Sequence, residues 1–308
     1  MIKYGIGLSL LNLSKDEFIL LLDDYHKHID YIYYSSLISF DFYARILFTD
    51  EDKDRFSKLN KYDQYEILNY ARTKYGIKTE LAVNSYNEHL TDDDFIKMIR
   101  IELKYHKPDK MVIHNRLSGK IRQITSDVCL SYSYNNNLFT YDQINNVSKY
   151  ISEVIIGNRF IRDKKMYNLV SQSKRTPICL VNNACSHNCG YCGSGTCGSA
   201  FMSNLCRCGI DAPYALATLY PWEVRKIYNL FNVSLFKLST RTLNYKEIDY
   251  LLNIMINNIN EPSDSDRYKF IRVLAPMYEW IPYYNYIDLD LVASIKEEIW
   301  KSGGINEI

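Results

Sequence analysis

The stretch EVIIGNRFIRDKKMYNLVSQSKRTPICLVNN (153–183) holds two short β-rich runs, EVIIGN (153–158) and TPICLVNN (176–183), with a helical stretch between them. Each run is nearly continuous in apolar residues rather than alternating. That is the pattern of a parallel strand covered on both faces. Six further runs of the same kind lie along the chain: KYGIGLSL (3–10), DYIYYSS (30–36), KTELAVNS (78–85), KMVIHN (110–115), VCLSYS (128–133) and SLFKLS (234–239). Helical patterns with start signals separate them. Ser14 with Glu17, Thr91 with Asp94 and Thr140 with Gln143 have capping-box spacing. Pro221 stands at a first helical position, and Asp290 leads the last helix, LVASIKEEIW.

Eight strands alternating with helices predict an α/β fold, a (β/α)8 TIM-like barrel over 1–260, with a helical extension, 261–308, packed on it. A doubly wound open sheet is the structural alternative. GIG (5–7) lacks the rest of a dinucleotide fingerprint. Two long connections, 37–60 and 184–220, interrupt the rhythm after the second and seventh strands. Strand-to-helix loops of a barrel open on its catalytic face, and loops of this length are usually functional.

The chain has 308 residues, 47% apolar and 24% charged, with 37 basic and 36 acidic side chains for a net charge of +1. These values suit a globular protein and exclude a broad phosphate-binding surface, so nucleic acid is not an expected partner. The start of the chain lacks signal-peptide features and no apolar run approaches 18 residues, so a cytoplasmic protein without a membrane span is expected.

Six of the eight cysteines fall between Cys185 and Cys208. The order is Cys185-Ser-His-Asn-Cys189-Gly-Tyr-Cys192, then Cys197, then Cys206-Arg-Cys208. Thiolates are soft ligands for iron–sulfur clusters and zinc, and the close spacing lets one loop aim several sulfurs at one point. Three readings compete: a [4Fe–4S] cluster, a structural Zn2+ knuckle on four thiolates, and a cysteine-rich loop without metal. Four ligands suffice, so two of Cys185, Cys189, Cys192, Cys197, Cys206 and Cys208 are spare. Cys129 and Cys179, inside strands, read as small buried residues.

Cys185-x3-Cys189-x2-Cys192, with Tyr191 before the last cysteine, resembles the signature of radical S-adenosylmethionine enzymes. There the motif follows the first strand, whereas here it follows the seventh. A second resemblance covers about residues 76–255. EVIIGNRFIRDKKM, TPICLVNNAC with its cysteine-rich continuation, and YPWEVRKIYNLFNVSLFKLSTR resemble the collagenase-like peptidase family (unclassified-peptidase family 32). Cys185, Cys192 and Cys208 reproduce the first two gaps of that family's Cys-x6-Cys-x15-Cys-x3-Cys pattern. Ala212 stands where the fourth cysteine would fall, and Phe160 replaces the usual Glu after the strand-end Arg. The resemblance implies a barrel with a cluster at its mouth and an oxygen-independent hydroxylase rather than a protease. No Ser/His/Asp or Cys/His arrangement or HExxH helix is present at recognisable spacing.

Residues at strand C-terminal ends should face the site. Lys237, Arg159, Arg241, His114 and Asn182 are the candidates for orienting a small, anionic or peptide substrate, with an electron-donor protein as a further partner. Lys237 lies inside an apolar strand, where a cation needs a partner or a ligand. A zinc-stapled binding module without enzymatic activity is the non-catalytic alternative.

Overall fold

The computed structural model describes residues 1–8, 13–35, 59–83, 91–133, 141–181, 211–275 and 284–301. All eight expected runs form strands: β1 (Lys3–Gly7), β2 (Ile29–Tyr34), β3 (Lys78–Val83), β4 (Lys110–Ile113), β5 (Cys129–Ser133), β6 (Glu153–Ile156), β7 (Thr176–Val181) and β8 (Leu235–Leu238). Each pairs in parallel with the next, and β8 pairs with β1, so the sheet closes into a (β/α)8 barrel. The described helices are α1 (Lys15–Tyr25), α2 (Lys61–Tyr75), α3 (Asp92–Tyr105), α4 (Ser118–Ile124), α5 (Lys164–Gln172), α6 (Asp211–Ala217), α7 (Pro221–Phe231), α8 (Tyr245–Asn257), α9 (Arg267–Leu274) and α10 (Leu289–Lys301).

The helix starts follow local chemistry. The boxes at Ser14/Glu17 and Thr91/Asp94 form on α1 and α3, each satisfying otherwise orphaned backbone N–H groups. Pro221 opens α7, where its missing N–H costs nothing. Three expectations change. The helix expected after Thr140 and Gln143 is only a 3-10 turn, Tyr141–Asn146. Asn115 accepts the Ser148 N–H at 2.7 Å and donates to the Asn146 carbonyl at 2.9 Å, occupying backbone groups that an α-helix would use. Asp288, not Asp290, caps α10 by accepting from the N–H groups of Asp290 and Leu291. The 184–220 connection also contains a helix of its own, α6.

The strand register sorts the barrel interior into layers drawn alternately from even and odd strands. Tyr31, Lys110, Glu153 and Leu235 form the layer nearest the N-terminal ends. Gly5, Glu80, Ser131 and Ile178 lie above it, then Tyr33, Val112, Ile155 and Lys237, then Gly7, Ala82, Ser133 and Leu180. Barrel interiors are usually filled by branched apolar residues. Here two lysines and two glutamates share the space.

Gly5 and Gly7 leave room for tyrosines from the next strand. A Cβ on Gly5 would lie 2.1 Å from Tyr31 Cζ, and one on Gly7 would lie 2.6 Å from Tyr33 Cζ. Both rings are buried, so neither can swing into solvent. Gly5→Ala is therefore expected to cost about 1–3 kcal/mol or more, read from the denaturant midpoint. Adding Tyr31→Leu should recover part of that loss. Equal stability of Gly5→Ala and wild type would rule out this packing.

The last two described helices, α9 and α10, make specific contacts with α6 and α7. The Tyr214 hydroxyl on α6 donates to the Ile271 carbonyl on α9 at 3.2 Å. Lys296 on α10 is fully buried beside α6 and α7.

Candidate active site

Lys237, at the third position of β8, projects into the barrel and donates to Glu80 Oε1 from β3. Among the described residues Glu80 is its one hydrogen-bond acceptor, and an ammonium has three N–H groups. Its Nζ also lies 4.3 Å from the centroid of the Tyr33 ring, within cation–π range. Burial holds Lys237 below the usual lysine range, with Glu80 pulling the other way.

Among the described residues Glu80 Oε2 has no hydrogen-bond partner, and it faces Lys110 Nζ at 4.0 Å. Lys110 lies 2.8 Å from Glu153 Oε2 and 4.1 Å from the Tyr31 ring centroid. Ser131 donates to the same Glu153 oxygen at 2.6 Å. Burial would lower Lys110, but the two glutamates outweigh it and raise it. The four charges thus run Lys237–Glu80–Lys110–Glu153 across the barrel interior, and the two lysines differ. Lys110 is a fixed cation held between two carboxylates. Lys237 shares one carboxylate and stands nearer the C-terminal face.

Lys237 is buried, though less completely than the layer beneath it. Its side chain keeps 10% exposure, whereas Glu80, Ser131 and Ile178 in the layer below are at 0%. Three of the four residues above it, Gly7, Ala82 and Ser133, are small. Arg241 follows β8 and places Cζ 4.9 Å from the centroid of the Tyr33 ring, the nearer of the two rings that Lys237 faces, Tyr31 being the other at 5.8 Å. The Tyr33 hydroxyl donates to the Leu238 carbonyl at 2.5 Å, and Thr240 ties the chain after β8 to Gly7 by accepting its N–H at 2.7 Å. The tyrosine and the turn carrying Arg241 are therefore fixed relative to Lys237.

Of the other expected site residues, His114 follows β4 and is mostly buried, packed edge-on to Phe95 at 6.1 Å between centroids. Arg159 lies in the 3-10 turn after β6; its side chain is outside the described residues. Asn182 and the cysteines 185, 189, 192, 197, 206 and 208 also lie outside them. Among the described residues no group of three or more His, Cys, Asp or Glu is arranged to hold a metal. Cys179 is buried and pushed up to about 12 by burial, as an inert core thiol should be; Cys129 is half-buried and pushed up to about 11.

A second buried cluster stands where the cysteine-bearing segment rejoins the fold. Glu223 on α7 accepts from Arg162 Nε at 2.7 Å, Lys296 Nζ at 2.7 Å, Tyr220 N at 2.8 Å and Trp300 Nε1 at 3.0 Å. Arg162 and Lys296 both also donate to the carbonyls of Ala215 and Thr218, at the end of α6. Two cations from distant parts of the chain thus grip one helix end.

Glu80, Lys110, Glu153 and this cluster were not among the expected site residues. The signal was present for three of them: Glu80 in KTELAV is a charged residue inside an apolar strand, as Lys237 is, and Lys110 and Glu153 open strands.

No family model matches the chain, and no curated protein matches it. Among solved structures it is similar to the U32 peptidase Mk0906, at TM-score 0.48 and 12% identity over 78% of this chain and 93% of that one. It is also similar to a chain of the tryptophan synthase complex from Pyrococcus furiosus, at 0.47 and 8% over 90% and 100%. N-(5'-phosphoribosyl)anthranilate isomerase from Pyrococcus furiosus gives 0.44 and 9% over 83% and 100%. Likenesses this remote say nothing of substrate or chemistry, and the architecture rests on the strand pairing itself.

Proposed function

We propose that the chain is an iron–sulfur enzyme, with a [4Fe–4S] cluster held by four of Cys185, Cys189, Cys192, Cys197, Cys206 and Cys208 over the C-terminal mouth of the barrel. The observation that carries the reading is where this segment is rooted. It leaves β7 at Val181, at the C-terminal end of the strands, and rejoins the fold at Asp211. A donor set of six thiols suits a cluster chemically. When bound, the cluster would supply electron transfer or substrate activation at the mouth.

The chain's own residues have the other tasks. Lys237 and Arg241, with His114, Arg159 and Asn182, bind and orient a small anionic substrate. Glu80 and Tyr33 hold Lys237 in place. Oxygen-independent hydroxylation is the reaction proposed, on the resemblance to the collagenase-like peptidase family.

Anaerobic purification should yield a brown protein with about four iron and broad absorbance near roughly 400 nm. A colourless protein with one zinc per chain would overturn the reading in favour of a stapling metal. The Cys185-x3-Cys189-x2-Cys192 spacing favours one variant, a radical S-adenosylmethionine-type enzyme. Reductive formation of 5′-deoxyadenosine by the reconstituted protein distinguishes it.

A further inference from the structure

We propose that the N-terminal face of the barrel carries a binding site for a small organic anion with an apolar body, its carboxylate received by Arg225. The site lies at the opposite end of the strands from the C-terminal mouth. The proposal is therefore independent of any metal or substrate at the mouth.

A cavity of about 260 Å³ opens beside the start of β1, between α7 and α8. Tyr4 and Met255, both buried, give it an apolar floor together with Ile2 and Ile256. Arg225, Tyr228 and His28 bring polar groups to it. Hydrogen bonds between segments fix its walls. The Tyr4 N–H donates to the His28 carbonyl at 2.8 Å, and the Tyr4 hydroxyl donates to the Met255 carbonyl at 3.2 Å. Arg225 reaches from α7 to the Ile256 carbonyl at 3.1 Å. A cavity preformed in this way has little ordering left to do when a ligand enters. Every segment leading into a strand at this face, from β2 to β8, is among the described residues.

Charge selects the class of ligand. No Asp or Glu lines the cavity. Burial, then Lys3, Lys27 and His26, hold the His28 imidazole below its usual range, and no acidic group acts on it in the other direction. Among the described residues Arg225 makes one hydrogen bond, to Ile256, and a guanidinium has five N–H donors. Its charge reaches inward, since burial raises the Tyr4 phenol and Arg225 pulls it back down. Tyr228 stands three positions after Arg225 on α7, so the two share a face. The Tyr228 hydroxyl accepts from the Met1 nitrogen at 3.1 Å, which leaves its own O–H to donate. Donors without a neighbouring carboxylate, set over an apolar floor, match a carboxylate with an apolar body. The volume falls below the roughly 300–1,000 Å³ of drug-sized sites, so the fit is to a molecule of about ten non-hydrogen atoms.

The test uses the full chain labelled with [13C-methyl]methionine and titrated with phenylacetate. Met1 and Met255 line the cavity, and the other five of the seven methionines do not. The expected result is saturable methyl shifts at Met1 and Met255 alone, with a Kd of about 1 mM or below. Phenylacetamide, the same shape without the charge, should bind about tenfold more weakly. Arg225→Gln should weaken phenylacetate by about the same factor, and Arg225→Lys should recover part of it by restoring the charge without the fork. Arg225 is exposed, so neither substitution disturbs the core. No shift at Met255 up to about 20 mM, shifts spread over all the methionines, or equal binding of the amide would overturn the proposal. An Arg225→Gln protein that binds phenylacetate like wild type would overturn it as well.

Discussion

Glu223→Gln is expected to destabilise the protein by about 3–5 kcal/mol, read from chemical denaturation. The carboxylate, at 0% exposure, accepts four hydrogen bonds, two of them from cations that are themselves fully buried. An amide of the same shape offers one acceptor oxygen and turns an N–H₂ donor toward Arg162 or Lys296. Both buried basic side chains would lose the carboxylate that they share, and that penalty dominates. The pH profile gives an independent check. Burial alone would raise Glu223, but Arg162 and Lys296 outweigh it and hold the carboxyl at about 2 against an ordinary 4.5. A carboxyl lowered on folding stabilises above its ordinary value, and the contribution drains away as pH falls from 4.5 toward 2. Glu223→Gln should lack this acid-side loss. A loss of equal size in both proteins would show that another group causes it. Lys296 adds a slope at the other end. Burial and Arg162 push it down to about 7, against the pull of Glu223, so between 7 and 10.5 the folded chain holds fewer protons than the unfolded one. Stability from this group therefore rises with pH across that window, and Lys296→Met should flatten the rise.

Glu80→Gln is the second large effect, also expected at about 3–5 kcal/mol. The change removes the charge facing Lys237 and the second carboxylate near Lys110. Lys110 keeps Glu153 at 2.8 Å, so the loss falls mainly on Lys237. A double-mutant cycle tests that division. Lys237→Met with Glu80→Gln should cost clearly less than the two single changes added, because the double variant leaves no orphaned ammonium in that layer. Strict additivity would mean that the pair is not coupled. Circular dichroism at the denaturation baseline checks that the barrel itself persists.

The barrel was legible because each strand is a dense apolar run, and because caps such as Ser14 and Thr91 depend on residues three positions apart. Such signals are local and survive without tertiary context. The turn at Tyr141–Asn146 was misread for the opposite reason. Its helix start signal is local, but Asn115, distant in sequence, takes over the backbone. Lys237 was legible as a cation out of place in an apolar strand. Its partner Glu80 lies 157 positions away, and no periodicity in one chain joins them. The same holds for Glu223, which meets Arg162 across 61 positions and Lys296 across 73. Sequence therefore exposed which residues needed partners more readily than which partners they found.

The interior charges also bear on how such a barrel can be assembled. The first four strands carry Glu80 and Lys110, which are direct neighbours in the register of β3 and β4. The last four carry Glu153 and Lys237. In the finished barrel the close contacts run between the halves, Lys237 to Glu80 and Lys110 to Glu153. A half-barrel can satisfy Glu80 only with Lys110, so joining the halves exchanges partners across the seam. Closure is thus recorded electrostatically, and an intermediate with β8 unpaired keeps Lys237 and Glu80 without the contact that they share in the native fold. Such a seam favours all-or-none closure over a stable, partly open form.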